Sequence, residues 1–108
     1  MDIDEMQQRA VEVRAKFSVF ERDTYGREWS TEDLVMGLMT DVGDLSAIVH
    51  RLEGRRPLRD ADPKDELAHE LSDCFWVLLV LADRYGVEVG ESFMETMNGI
   101  ETWINGSP

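Results

Sequence analysis

The sequence predicts an all-α protein, a bundle of four helices joined by short connections. In four separate segments, apolar residues recur at steps of three and four, the spacing that places them on one face of a helix. Residues that begin and end helices flank these segments, such as Asp62 and Pro63 before the third and Gly86 after it. The β-branched residues lie inside the helical periods, so no strand is predicted.

The first helix is predicted from Ile3 to about Asp23, and the second from Ser30 or Thr31, either of which can cap it, to about Glu53. Acidic residues near each start suit the positive end of the helix dipole. The apolar stripe of the first helix is expected to face the core. It consists of Ile3, Met6, Ala10, Val13, Phe17 and Phe20.

The third helix, which opens at the proline, ends at Gly86, and the fourth runs from Glu91 to about Ile104. The 108 residues have the length of one domain. We expect residues 1–104 to form this domain and residues 105–108 to be a disordered tail.

The third helix is apolar on several sides, most clearly over the run from Cys74 to Ala82. Three other helices in a chain this short cannot cover all of these sides. We therefore expect a second copy of the chain to complete the bundle, as a homodimer or a dimer of dimers.

The composition excludes several classes of function. A net charge of −12 argues against a nucleic acid polymer and against an anionic membrane as partner, since both require a basic surface. The longest apolar run, Cys74 to Ala82, is too short to span a bilayer. One cysteine cannot form a disulfide within the chain, and the N-terminus has no signal-peptide pattern, so we expect a cytoplasmic protein.

Two pairs of carboxylates interrupt stripes that otherwise face the core. Asp41 lies in an apolar seam of the second helix with Asp44 one turn on, and Glu70 and Asp73 continue a stripe of the third helix that ends in valines. A single acidic pair on a helix is usually a solvated surface, whereas two pairs on core-facing stripes are rare. Buried carboxylates are costly unless they are paired or bind a metal. The simplest explanation is a divalent cation between the helices, Mg²⁺ or alternatively Mn²⁺.

The segments LMTDVGDLSAIV and DELAHELSDCFWVLLVLA resemble the MazG-like, all-α nucleoside triphosphate pyrophosphohydrolases, over roughly residues 20 to 100. The resemblance implies the MazG-type fold, completed by dimerisation. It implies that Asp41, Asp44, Glu70 and Asp73 are the catalytic residues that hold Mg²⁺. The implied reaction is hydrolysis of a (deoxy)nucleoside triphosphate between its α and β phosphates. Its products would be a monophosphate and pyrophosphate, and one role would be to remove non-standard nucleotides.

The chain departs from the family pattern in two places. The first acidic pair is Asp-x-x-Asp where the family usually has Glu-x-x-Glu, and no Lys or Arg follows Arg84. Binding of the substrate phosphates is therefore expected from Arg22, Arg51 and Arg55 instead. Trp29 resembles the aromatic residues on which relatives stack the base.

Two alternatives follow from the same residues. The departures favour a catalytically impaired, dimeric helical module that binds a nucleotide or a protein partner without turnover. The spacing Glu66-x-x-His69 is that of di-iron carboxylate bundles, although such sites need the motif on two helices and it occurs once here.

Overall fold

The computed structural model describes residues 1–59 and 61–106, and these residues confirm the all-α class. No strand occurs in this part of the chain. Four helices follow one another, α1 (Ile3–Tyr25), α2 (Thr31–Leu52), α3 (Pro63–Arg84) and α4 (Val89–Gly106).

Local side-chain chemistry determines where the first two helices begin and end. The Asp2 carboxylate accepts from the Glu5 amide at 2.9 Å and caps α1. At the start of α2, Ser30 and Asp33 form a reciprocal capping box, so Ser30 is the cap residue. These hydrogen bonds, above all the one from the Ser30 amide, lower the pKa of Asp33. Gly26 ends α1 with a φ of 82°, a conformation that glycine adopts without strain.

The fourth helix is longer than the sequence indicates. It begins at Val89 and continues to Gly106, so Asn105 and Gly106 belong to the helix and not to a tail. The physical reason is that each residue added to an existing helix gains one backbone hydrogen bond, and nothing within α4 interrupts this series after Ile104. Residues 107–108 of the expected tail, like Asp60 in the linker, lie outside the described residues.

The core lies around α3, which packs against α2 on one side and α1 on the other. The Trp76 indole N–H donates to the Ala10 carbonyl at 2.9 Å and ties α3 to α1. The central cluster of buried residues consists of Ala10, Leu34, Val77, Leu79 and Val80, with Ile3, Leu38, Trp76, Leu81 and Val89 packed around them.

The buried face of α1 differs from the expected one. Phe17 and Phe20, placed in the core by the sequence pattern, are 42% and 50% exposed. The face that is buried consists of Ala10, Arg14, Ser18 and Glu21. A polar pair inside this buried face is the physical reason for the error, because hydropathy alone assigns Arg and Glu to the surface.

A single chain leaves a large surface uncovered. The radius of gyration is 17.2 Å, against about 13 Å for a compact domain of this length. The accessible area is 8196 Å², against about 6,100 Å² for a folded monomer of this mass. The fourth helix explains much of the difference, since none of the described residues of α4 is buried.

Two exposed apolar rows occupy this uncovered surface. The α4 stripe consists of Phe93, Met97, Ile100 and Ile104, and the α3 stripe consists of Leu71, Phe75 and Leu78. Each follows helical steps of three and four, so each forms one continuous face. In the described part of the chain, no helix combines the length and apolar character needed to cross a membrane.

Candidate functional site

Three carboxylates meet where α2 packs against α3. Asp41 and Asp44 lie one turn apart on α2, and Glu70 faces them from α3. Each offers one oxygen, and these three oxygens all lie within 4.8 Å of one another. Asp41 and Glu70 are partly buried, whereas Asp44 is exposed at the mouth of the cluster.

Burial and mutual repulsion both act against ionisation of this cluster. Burial is the main cause that raises the pKa of Asp41, and the neighbouring charges of Asp73 and Asp44 raise it further. Burial likewise raises the pKa of Glu70, with Asp41, Asp73 and Asp44 adding to it and His69 opposing it. A bound cation would offset both effects, because its positive charge favours the ionised form of the carboxylates.

The donor set fits a hard divalent cation. Glu70 Oε2 is buried and has no hydrogen-bond partner among the described residues, although buried carboxylate oxygens normally have one. Mg²⁺ and similar ions take oxygen ligands and commonly use a few carboxylates together with water. The residues that would hold such an ion are Asp41, Asp44 and Glu70.

The fourth predicted ligand, Asp73, lies beside this cluster but outside the group of oxygens that meet within 4.8 Å. Its Oδ2 is 3.1 Å from Nε2 of His69, one turn earlier on α3. Asp73 also lines the cavity described next, together with Asp41. The structure thus brings three of the four predicted ligands together, and a metal-binding role for Asp73 stays a prediction.

A cavity of about 360 Å³ adjoins the carboxylates, between α1, α2 and α3. Asp41 and Asp73 lie at its acidic side, and three aromatic rings contribute to its remaining wall. These rings belong to Phe17, Trp29 and Trp76. The cavity therefore combines an acidic side with flat apolar faces.

The wall of this cavity also contains a buried ion pair on α1 that the sequence analysis missed. Arg14 Nη2 donates to Glu21 Oε1, and the side chains are 8% and 3% exposed. The same oxygen accepts the Trp29 amide at 3.0 Å, which fixes the loop before α2. The Arg14 guanidinium lies 5.4 Å from the Phe17 ring centre and 6.0 Å from that of Trp76, within cation–π range. The signal available in the sequence was the spacing of Ala10, Arg14, Ser18 and Glu21, steps of four, four and three.

The predicted base-stacking residue, Trp29, lies at the rim of the cavity and is 44% exposed. Its ring packs against the backbone of α2 at Gly37. A Cβ atom at Gly37 would lie 2.7 Å from Trp29 Cζ3, closer than real Cβ atoms approach. The glycine at this position is therefore needed for the observed position of the ring.

The structure does not bring the three predicted phosphate-binding arginines to the cavity wall. Arg51 is buried and donates to Glu66 at 2.8 Å, near the end of α2. Arg22 pairs with Glu28 at 3.1 Å on the surface, and Arg55 is exposed beyond the end of α2. Binding of phosphates by these arginines stays a prediction.

The motif Glu66-x-x-His69 is divided between two different contacts. Glu66 binds Arg51, whereas His69 lies against Asp73. Neither residue belongs to the group of potential metal ligands found among the described residues. The motif therefore does not form half of a di-iron site in this arrangement.

Comparisons with known proteins do not place the chain in a family. No protein-family model matches it, and searches of curated proteins and of solved structures gave no significant match. The resemblance to the MazG-like pyrophosphohydrolases therefore stays an expectation that rests on two sequence segments.

Proposed function

We propose that the protein is a Mg²⁺-dependent nucleoside triphosphate pyrophosphohydrolase. The observation that carries this proposal is the position of the three-carboxylate cluster at the acidic side of an aromatic cavity, with Asp41 belonging to both. A nucleotide has the matching two parts, since its phosphates bind through a cation and its base stacks on rings. The family resemblance supports the same substrate class.

The reaction adds water across the α–β anhydride. One P–O bond of the bridge breaks, and the products are a nucleoside monophosphate and pyrophosphate. A bound cation would neutralise phosphate charge, orient the phosphates and lower the pKa of a coordinated water. Asp41, Asp44 and Glu70 would hold it, and Asp73, with His69 at 3.1 Å, would orient water or a further cation beside them.

The aromatic wall supplies the base-binding part of the proposed site. Trp29, Phe17 and Trp76 line the cavity and would offer ring faces to a base. Stacking contributes about 1–3 kcal/mol per base and accepts any base, because every base has a flat π face. Stacking alone therefore binds nucleotides without choosing among them.

We also propose that a second copy of the chain covers the α3 and α4 stripes, in the MazG-type dimer that the sequence suggests. Relative to a compact monomer, each chain has about 2,000 Å² of excess surface, and obligate homodimers bury about 2,000–5,000 Å² in total. Sedimentation velocity tests this directly. A dimer or larger assembly is expected, and a monomer at all concentrations would contradict it.

Pyrophosphate release from a panel of canonical and modified nucleoside triphosphates tests the activity. With Mg²⁺ or Mn²⁺ we expect release, and with EDTA none. The variant Glu70→Gln keeps the shape of the side chain but removes its charge, and it should lose activity. Glu12→Gln is the matched control, since Glu12 lies on the exposed face of α1. Equal loss of activity in both variants would contradict the assignment of the site.

The second candidate is a binding module of the same fold without turnover. The observation that favours it is the scarcity of cations for a triphosphate. No Lys or Arg follows Arg84 in the sequence, and the one arginine of the cavity wall, Arg14, is paired with Glu21. Nucleotide binding without pyrophosphate release, in protein that is folded and metal-loaded, would establish this alternative.

A further inference from the structure

We infer that the Arg14–Glu21 ion pair reads the hydrogen-bonding edge of the base, an inference that rests on the proposed nucleotide substrate. The pair would bind the base edge through an acceptor and a donor that lie side by side on it. Such an edge is recognised by a donor and an acceptor held side by side, as bidentate contacts to bases are in general.

Burial of the pair carries a cost in desolvation. Both side chains are more than nine-tenths buried, in a cavity wall that is otherwise largely aromatic and aliphatic. A buried ion pair often stabilises a fold no better than apolar residues of the same volume. Its position beside the rings at which a base would stack supplies a reason for two charges there.

The hydrogen bonds of the pair do not use every donor of Arg14 or both carboxylate oxygens of Glu21. Arg14 donates through Nη2 to Glu21 and through Nε to Ser18, the latter at 3.4 Å. Glu21 accepts twice through Oε1, from Arg14 and from the Trp29 amide. Arg14 Nη1 and Glu21 Oε2 take part in none of these hydrogen bonds, and both residues line the cavity. A base edge would accept a hydrogen bond from Arg14 Nη1 and donate one to Glu21 Oε2.

The charged side chains that line the cavity indicate how a nucleotide would be oriented in it. The positive charge of Arg14 is matched by Glu21, so the pair does not attract phosphates as an unpaired arginine would. Asp41 and Asp73 also line the cavity, and Asp41 belongs to the cluster where a cation would hold the phosphates. The base is thereby directed to the ion pair and to the rings of Phe17 and Trp76, which lie against the Arg14 guanidinium.

Nucleosides without phosphates test this role separately from hydrolysis. Adenosine, cytidine, guanosine and uridine are titrated in EDTA with ligand-observed NMR, which detects weak binding. The best ligand is then compared with a derivative in which methyl groups replace every hydrogen on the nitrogen that donates at the base edge. We expect the methylated derivative to bind about 10- to 100-fold more weakly, since a hydrogen bond to a charged group is lost. Equal affinity of the two ligands would overturn the inference.

Variants of the pair give a second measurement. Glu21→Gln should weaken the best nucleoside about 10- to 100-fold and change the order of preference among the four. Its matched control is Glu66→Gln, which removes the partly buried carboxylate paired with Arg51, a residue that does not line the cavity. The control should leave nucleoside affinities unchanged.

Because loss of one buried partner can unfold the chain, the double variant Arg14→Gln with Glu21→Gln, neutral at both positions, is also measured. Circular dichroism establishes that it is folded. A folded double variant with the affinities and the preference of the wild type would overturn the inference.

The outcomes separate this inference from the proposed activity. If no triphosphate is hydrolysed but Glu21→Gln changes nucleoside preference, the base-reading role holds and the hydrolase proposal fails. If pyrophosphate is released with the same base preference by the wild type and by Glu21→Gln, the hydrolase holds and the base-reading role fails.

Discussion

At Glu70, burial and the neighbouring negative charges both act against ionisation of one side chain. Its pKa is raised, chiefly by burial and then by three neighbouring aspartates, and its Oε2 is buried without a partner. The folded state therefore holds a proton at Glu70 more tightly than the unfolded state does. Stability from this group is complete below its ordinary pKa of 4.5 and is lost as the pH rises through the raised value.

Glu70→Gln should therefore have opposite effects without and with metal. In EDTA at neutral pH, the variant should melt at a higher temperature than the wild type, because the neutral amide removes the repulsion. Below a pH of about 4.5 this difference should disappear. With Mg²⁺ the wild type should gain stability and the variant should not. A variant that is less stable than the wild type in EDTA would contradict the repulsion argument.

Gly37 allows a second test at the scale of one residue. A methyl group there would meet the Trp29 ring at 2.7 Å, so Gly37→Ala should displace the ring and raise KM with a smaller effect on kcat. Since stacking contributes about 1–3 kcal/mol, we expect KM to rise about tenfold. Enzyme kinetics on the best substrate of the panel measures this change.

Gly43→Ala is the matched control on the same helix. A Cβ atom at Gly43 would have nothing within 4 Å, and alanine is the better helix former by about 0.5–1 kcal/mol. The control should melt slightly higher with KM unchanged. An equal rise of KM in both variants would show that the effect does not come through Trp29.

Among the helices, α2 and α3 agree most closely with the bounds predicted from the sequence. Their periodic stripes, helix-start signals and glycine at Gly86 predict both helices to within a few residues. The stripe of α3 that ends in Val77 and Val80 does face inward, and so Glu70 meets Asp41 and Asp44. This part of the candidate site was predictable because the carboxylates interrupt an otherwise apolar pattern.

The cavity wall formed by α1 was not predictable in the same way. The buried face of α1 carries Arg14 and Glu21, and hydropathy assigns such residues to the surface. Each of these charges can be buried because it has an oppositely charged partner, and the two residues are seven positions apart on the same helix. Arg51, one of the arginines expected to bind phosphates, is instead buried against Glu66 and does not line the cavity.

The α4 stripe supports a prediction at the scale of the helix. Ile100 is already 48% exposed in one chain, so Ile100→Glu should leave the fold of a single chain intact. In the proposed dimer the same charge would be buried without a partner, and the assembly should dissociate. Sedimentation velocity measures this effect.

Thr102→Glu is the control for this substitution, since Thr102 lies on α4 outside the stripe. It adds the same charge to the same helix and should leave the assembly unchanged. Dissociation of both variants, or of neither, would show that the stripe is not the contact surface.

For the whole molecule, cations can act in two ways, by screening the net charge of −12 and by binding to the acidic cluster. Salt of any kind screens surface repulsion, whereas a cation bound by Asp41, Asp44 and Glu70 stabilises only the folded state. At a free concentration about 100 times its Kd, such an ion adds about 2.7 kcal/mol to the free energy of unfolding.

Thermal melts at constant ionic strength separate these two effects. Replacing NaCl by MgCl₂ or MnCl₂ at the same ionic strength should raise the melting temperature at neutral pH. The gain should shrink as the pH falls and protons occupy Asp41 and Glu70, whose pKa values are raised. Equal melting temperatures in NaCl and MgCl₂ would exclude a specific cation site.

The three tryptophans lie in three different surroundings, which gives the molecule its own optical reporters. Trp76 is partly buried with its indole N–H on the Ala10 carbonyl, Trp29 covers Gly37 at the cavity rim, and Trp103 on α4 is 72% exposed. Indole emission moves to shorter wavelengths as its surroundings lose water. Replacing two of the three by phenylalanine would isolate the light of the third. Occupation of the cavity and burial of α4 would then be followed separately, each in its own unlabelled variant with a single tryptophan.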